Sequence, residues 1–538
     1  TDGNFAPIDF YNSTGYITGR IGAEFQDAGD RNTDLFFMTR ANSGAITEHF
    51  RIAADGSLST PTLGDNNVRF GVNAGVGILN GGNYNVVVGD GAGQFLTTGD
   101  NSTFVGFEAG KGIDGTKLTG GDNVGVGYRA GYSLRGTASR NTIVGYTAAD
   151  ALTAGDQNTV MGYDALGAGV ASFYNTAFGT GALRADTTGR HSVAVGISAL
   201  YSQNTTGSAD MYNVAVGSGA GFSVSTGFHS TYIGGLAGYY ATTADYSTFI
   251  GSQAGQGITG AGVLTGNYNT AVGRHAGFLL QGVATNNTLI GANCGDSITT
   301  GDTNVAVGYT ALDGCSTGTN NVAVGKHALG GVTDSSNNIG VGDEAGSNIT
   351  TGDANIAIGV GCNPSAADST EQIIISTTSG VSGAGDQTVR FGSSLGSVYI
   401  GLNNSTVTWT KSSDERLKEN IETSTAGLSF INDLRPVTFD WKKKRDIPED
   451  MKWNYPAAAD DSPCLGTGKK VHGFIAQEVE SVIANHPEVV EGNSITDIDA
   501  QGVHGVGEGA MIPMMVKAMQ ELSTKLDAAL ARIEELEG

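Results

Sequence analysis

Between Pro61 and Pro364 the chain contains no proline, although nine occur among its 538 residues. Proline donates no amide, so a long stretch without it suits a structure in which nearly every backbone N–H is engaged in a ladder. Cysteine is scarcer still. Cys294, Cys315, Cys362 and Cys464 show no C-x-x-C spacing, which supports neither a disulfide framework nor a zinc site. No run of 18 apolar residues occurs, so no membrane insertion is expected. Basic charge is short everywhere: 13 Lys and Arg face 23 Asp and Glu in residues 412–538, and 16 face 30 before them. Binding of nucleic acid or an anionic membrane through a basic face is therefore not expected. No cofactor and no metal are expected either, because the Gly-Asp pairs, such as Gly99-Asp100, read as turns and lack the alternation of calcium-binding nonapeptides. The sequence opens at Thr1 without a Met, which suggests the C-terminal piece of something longer.

What is abundant is glycine, 84 residues, about twice the ~7% of average usage. One set of them keeps a register: 71, 89, 106, 127, 145, 162, 179, 196, 217, 234, 251, 273, 291, 308, 325, 342 and 359. The step is mostly 17, sometimes 18, and three times 21 or 22, which defines a repeat architecture. Four residues before each glycine stands Asn in 13 cases and Ser in four; three before, Val, Thr or Ile; one before, Val, Ile, Phe or Met; three after, Ala in 15 cases. Cys294 and Cys362 fill the other two Ala slots. The pattern predicts a short strand with one buried face, ended by a glycine where positive φ or close backbone approach is required. Stacked coils would set the Asn residues in a ladder at steps of roughly 4.8 Å. The long spacings insert residues at 110–122, 200–212 and 255–268, which a solenoid places in loops, where binding commonly resides.

Four segments follow. Residues 1–62 read as an N-terminal β module, 63–366 as the 17-residue repeat β-solenoid, 367–411 as a β linker or stem, and 412–538 as a mixed α and β domain. In the last of these Ile512, Met515, Met519, Leu522, Leu526, Ala529, Ile533 and Leu536 step by 3 and 4, a heptad seam. The domain opens with SSDERLKENI, Ser412 to Ile421. Ser412 followed by Glu415 reads as a capping box. Ser413 and Lys418 permit a second reading, a hydroxyl nucleophile with a neutral amine as base. Five residues along a continuous helix set two side chains roughly 140° apart. Ser413 would therefore sit at the helix start, or Lys418 would come from another subunit.

SSDERLKENI is followed in order by LRPVTFDWK, GFIAQEV and IPMMVKAMQEL. This set resembles the C-terminal intramolecular chaperone of phage tail fibres and endosialidase tailspikes, a self-cleaving serine peptidase family. The resemblance implies that Ser413 is the nucleophile, Lys418 its base and Ser412-Ser413 the bond cut, at most a single-turnover reaction; the residues give no ground to expect other catalysis. The repeats resemble the β-roll heads of trimeric autotransporter adhesins. The expected fold is mainly β: a homotrimeric parallel β-solenoid or β-roll shaft, followed by an α+β chaperone domain ending in a coiled coil. The expected function is that of a structural, host-receptor-binding tail fibre of a virus of bacteria, assembled in the host cytoplasm and resident in the virion. Its expected partners are two further copies, other virion tail proteins, and a bacterial surface receptor, glycan or protein. A polysaccharide-degrading tailspike and a bacterial trimeric surface adhesin are the alternatives.

Overall fold

The computed structural model describes residues 5–25, 33–40, 45–52, 54, 58–59, 64–204, 207, 209–393, 396–401, 409–411, 419, 421–448, 462–463, 470–489, 495–498 and 504–538. The chain divides into two compact units, Thr1–Ser412 and Ser413–Gly538.

The first unit opens with an antiparallel meander, β1 (Phe5–Tyr11), β2 (Ile17–Phe25), β3 (Thr33–Arg40), β4 (Ile46–Ile52) and β5 (Leu58–Ser59), each paired to the next. Asn12 holds the first turn, its side-chain oxygen accepting the amides of Thr14 at 3.1 Å and Tyr16 at 2.9 Å. Glu48, Glu24 and Asp34 converge on Arg51 within 2.5–2.8 Å, which ties β2, β3 and β4 together on one face.

From Val68 the chain becomes a parallel β-solenoid. Seventeen three-residue strands, β6 (Val68–Phe70) to β22 (Ile356–Ile358), each precede one glycine of the 17-residue register. Each strand pairs in parallel with the next, residue for residue, as Val305 does with Val322 and Val322 with Ile339. The ladder continues through β23 (Ile373–Ser376) and β24 (Thr388–Ser393), giving nineteen coils. Two antiparallel strands, β25 (Gly396–Gly401) and β26 (Trp409–Lys411), follow. The long coils keep the same strand register, and their extra residues lie between the Ala slot and the next Asn slot. In the first, Ile113 and Thr116 form an isolated bridge; the third carries a short 3-10 turn, Gly260–Gly262.

The glycine that ends each strand is required twice over. At Gly325 φ is +136°, and a Cβ there would stand 2.3 Å from the carbonyl oxygen of Gly342 in the next coil. An L-residue would be strained by its backbone and would also push the coils apart. The Asn slots form one buried column. Each side-chain oxygen accepts the amide of its counterpart one coil on, as Asn304 does from Asn321 at 3.0 Å, while each Nδ2 donates to a carbonyl in the turn that leads into the next slot, as Asn321 does to Ser335 at 2.9 Å. The Ala slots, including Cys294 and Cys362, are fully buried. Cys315 fills a lumen position taken elsewhere by Leu96, Leu134 and Ile298. Cys464 lies outside the described residues.

The strict strand slots, three and one before the glycine, do not supply the buried face. It is the variable residue between them that points into the lumen, from Ala323 and Ala357 to Phe104 and Tyr232. The physical reason is volume. The lumen can trade a large residue in one coil against a small one in the next, as Phe104 does with Gly125, whose Cβ would meet the Phe104 ring at 2.8 Å.

Candidate functional site: the C-terminal unit

The second unit contains α1 (Leu428–Asp433), β27 (Val437–Phe439) paired with β28 (Val471–Gly473), α2 (Ala476–Ala484), β29 (Thr496–Ile498) paired with β30 (His504–Val506), and the long α3 (Ile512–Glu537). Pro513 stands in the first turn of α3, where its missing N–H costs nothing. The core is small: Ala426, Phe430, Val479, Val489, Ile495 and Met511. Glu521 of α3 accepts the backbone amide of Leu428 at 2.9 Å, closing the start of α1 with a carboxylate from 93 residues away. Arg435 pairs with Glu478 on the surface, and each holds the other charged, the arginine moved up and the carboxyl down.

Two histidines bind α2 to its neighbours. His486 is almost wholly buried, packs edge-on against Phe430 at 5.5 Å, and has a carboxylate on each ring nitrogen: Glu488 at 2.6 Å from Nδ1 and Asp433 at 2.7 Å from Nε2. Ionised carboxylates only accept, so this pairing favours the ring with both nitrogens donating, the imidazolium. The bonds to Glu488 and then Asp433 raise its pKa above the ordinary histidine value. His504 meets Glu480 at 2.7 Å, tying β30 to α2. Neither histidine is signalled by a motif: Glu488 stands two residues from His486, but Asp433 comes from 53 residues away, and Glu480 reaches His504 from 24.

Along α3 the heptad residues face outward. Met519 is 62% exposed, Leu522 56%, Leu526 58% and Leu536 72%. The start of this stripe borders an apolar hollow of about 370 Å³ formed with Leu428 and Ile431 of α1. Ser412, Ser413 and Lys418, the residues expected to carry the cleavage chemistry, lie outside the described residues. Among the described residues no cluster of His, Cys, Asp or Glu could hold a metal ion, and no helix is long and apolar enough to cross a membrane.

The two units thus define a nineteen-coil parallel β-solenoid joined to a small mixed unit whose last helix bares an apolar seam. Within that second unit, residues 413–489 match the family model described as the chaperone of endosialidase. No curated protein and no solved structure matches the chain.

Proposed function

We propose that this chain is the shaft and assembly module of a homotrimeric tail fibre of a virus of bacteria, joined in register by its C-terminal unit and then cut once between Ser412 and Ser413. The observation that carries the reading is one coincidence of boundaries. The chaperone match begins at Ser413, the two compact units divide after Ser412, and the SSDERLKENI motif straddles the same bond. The α3 seam supports the assembly step, since a heptad of Met, Leu and Ile is covered by copies of the same helix. Registering identical repeats is slow and prone to slippage by whole coils, and a C-terminal clamp that sets the ends first removes that error.

In the cleavage, Ser413 Oγ attacks the carbonyl carbon of Ser412 as Lys418 Nζ takes its proton. The C–N bond then breaks, the amine leaves with the proton from Lys418, and water hydrolyses the ester. Lys418 must be neutral to begin, which requires a desolvated site. Receptor contact, with a surface glycan or protein, falls to the loops of the three long coils. The test is intact mass and sedimentation of the purified chain. Wild type should yield fragments 1–412 and 413–538, while Ser413→Ala and Lys418→Ala should each stay full length yet trimerise. Leu522→Asp with Leu526→Asp should abolish trimer and cleavage together. A Lys418→Ala chain that still cuts would remove Lys418 from the mechanism.

A further inference from the structure

Two stacks of aromatic rings climb the middle of the solenoid. The longer holds Tyr174, His191, Tyr212, His229, Tyr246 and Tyr268, each five residues before a register glycine. Its five steps measure 4.8–5.2 Å, with neighbouring rings within 23° of parallel. Tyr174, Tyr212, Tyr246 and Tyr268 are 45–56% exposed. The shorter stack holds Tyr201, Phe222 and Tyr239 at 5.0 and 4.7 Å. Two of the three long loops meet these stacks: the loop at 200–212 starts beside Tyr201 and ends at Tyr212, and the loop at 255–268 ends at Tyr268. Hydroxyls and an amide border the loops. Thr187 Oγ1 donates to Asn204 Oδ1 at 2.8 Å, and Thr242 and Thr265 donate to backbone carbonyls at 3.3 and 2.8 Å. Charge is nearly missing. Residues 191–273 contain no Lys or Arg and only two carboxylates, Asp210 and Asp245, whereas residues 111–140 around the first long loop hold five of the ten Lys and Arg found in 63–366.

We infer that the longer stack and the two loops that meet it form an elongated binding site for a neutral polysaccharide, a polymer of uncharged sugars lying along the coils. The chemistry of the stack points to this occupant. Stacking turns the ring faces toward one another and leaves the electropositive ring edges outward, with tyrosine hydroxyls and histidine ring nitrogens among them. Such a rim donates to the oxygens of a sugar and accepts from its hydroxyls. A polyanion would be stripped of water here with no Lys or Arg to replace it. A protein partner needs an apolar centre to the contact, which a row of polar edges does not offer. The period fits as well. Equivalent groups recur at every coil, roughly 4.8 Å apart, so a polymer of repeating units engages several weak contacts at once and gains an avidity that none supplies alone. The inference rests on the receptor reading above and narrows it to one chemistry and to two of the three loops.

Affinity electrophoresis of the full-length protein tests it, since a chain with a formal charge of -24 migrates readily in native gels. Dextran, mannan and galactan cast in the gel are the neutral probes, and alginate is the anionic one. The wild type should be retarded by at least one neutral polymer and not by alginate. Tyr212→Phe, Tyr246→Phe and Tyr268→Phe together keep the rings stacked and remove only hydroxyls, so the Kd should rise about tenfold or more. Tyr146→Phe with Tyr163→Phe is the control: these rings stack alike at 5.5 Å, in coils without an insertion, and their change should leave the Kd as it was. Retardation by no polymer, by alginate alone, or equal in the wild type and the triple variant overturns the inference. Adsorption of labelled protein to a panel of bacterial strains separates the two readings. Adsorption that survives periodate, which cleaves sugar diols, but not protease keeps a receptor and overturns the polysaccharide site. Adsorption to no strain overturns receptor contact and this inference with it.

Discussion

Replacing Asn321 by alanine should open the solenoid locally, by an amount the geometry fixes. Asn321 is fully buried. Its Oδ1 accepts the amide of Asn338 at 3.0 Å, and its Nδ2 donates to the carbonyl of Ser335 at 2.9 Å. Alanine leaves both groups buried with no partner from this side chain. Each orphaned group costs about 1–3 kcal/mol, so the sum is about 2–6 kcal/mol. Serine is the informative comparison, because the column already uses it. Ser102 Oγ accepts the Asn123 amide at 3.3 Å, and Ser230 Oγ accepts that of Ser247 at 3.1 Å. Asn321→Ser should therefore keep the Asn338 amide satisfied; the side-chain contacts to Asn304 and Asn338 at 3.2 and 3.3 Å go as well, but only the Ser335 carbonyl is left orphaned, so the cost should be about half as much. Native-state hydrogen exchange reads the difference where it arises. The Asn338 amide should exchange about 30-fold faster or more in Asn321→Ala, since every 1.4 kcal/mol is a factor of ten, and distinctly less so in Asn321→Ser. If the two variants exchange alike, or if alanine changes the rate by less than about threefold, the side-chain column does not hold the coils together.

Two further outcomes follow from burial and charge. Cys294→Ala and Cys362→Ala should leave thermal stability within about 1 kcal/mol, whereas Ala328→Leu, fully buried in the same slot, should cost about 1–3 kcal/mol or block folding, as measured by denaturant midpoints. The C-terminal unit should weaken as pH rises. His486 has a folded-state pKa raised above its unfolded value, so its contribution is complete below about pH 6.5 and is lost as pH climbs through the raised value. Calorimetric melting of this unit should show that loss in the wild type and not in His486→Gln.

The sequence was most readable where one residue type has one physical use. The seventeen glycines mark the strand ends because no side chain fits where Gly325 meets Gly342, and the Asn column was legible because an amide both donates and accepts along a ladder. Which strand face is buried was not legible. All three positions of Val322, Ala323 and Val324 are apolar, so period-two alternation separates two sets without saying which points inward. In the C-terminal unit the heptad of α3 was plain from spacing, but the histidine clamp was hidden, because Asp433 reaches His486 from 53 residues away and meets it only after the chain has folded.

The residue-for-residue pairing of successive strands has a consequence for how such a protein changes over time. Where coils are 17 residues apart, residue and partner differ only by that step, as Asn304, Asn321 and Asn338 do. If the coil beginning at Val305 were excised to the residue before Val322, Ile290 and its neighbours would meet the same hydrogen-bond partners one coil on. Nothing in the ladder would record the loss. Gain of a coil is equally silent, so duplication and deletion in the coding sequence can alter the reach of the shaft in quantised steps, leaving both of its ends untouched.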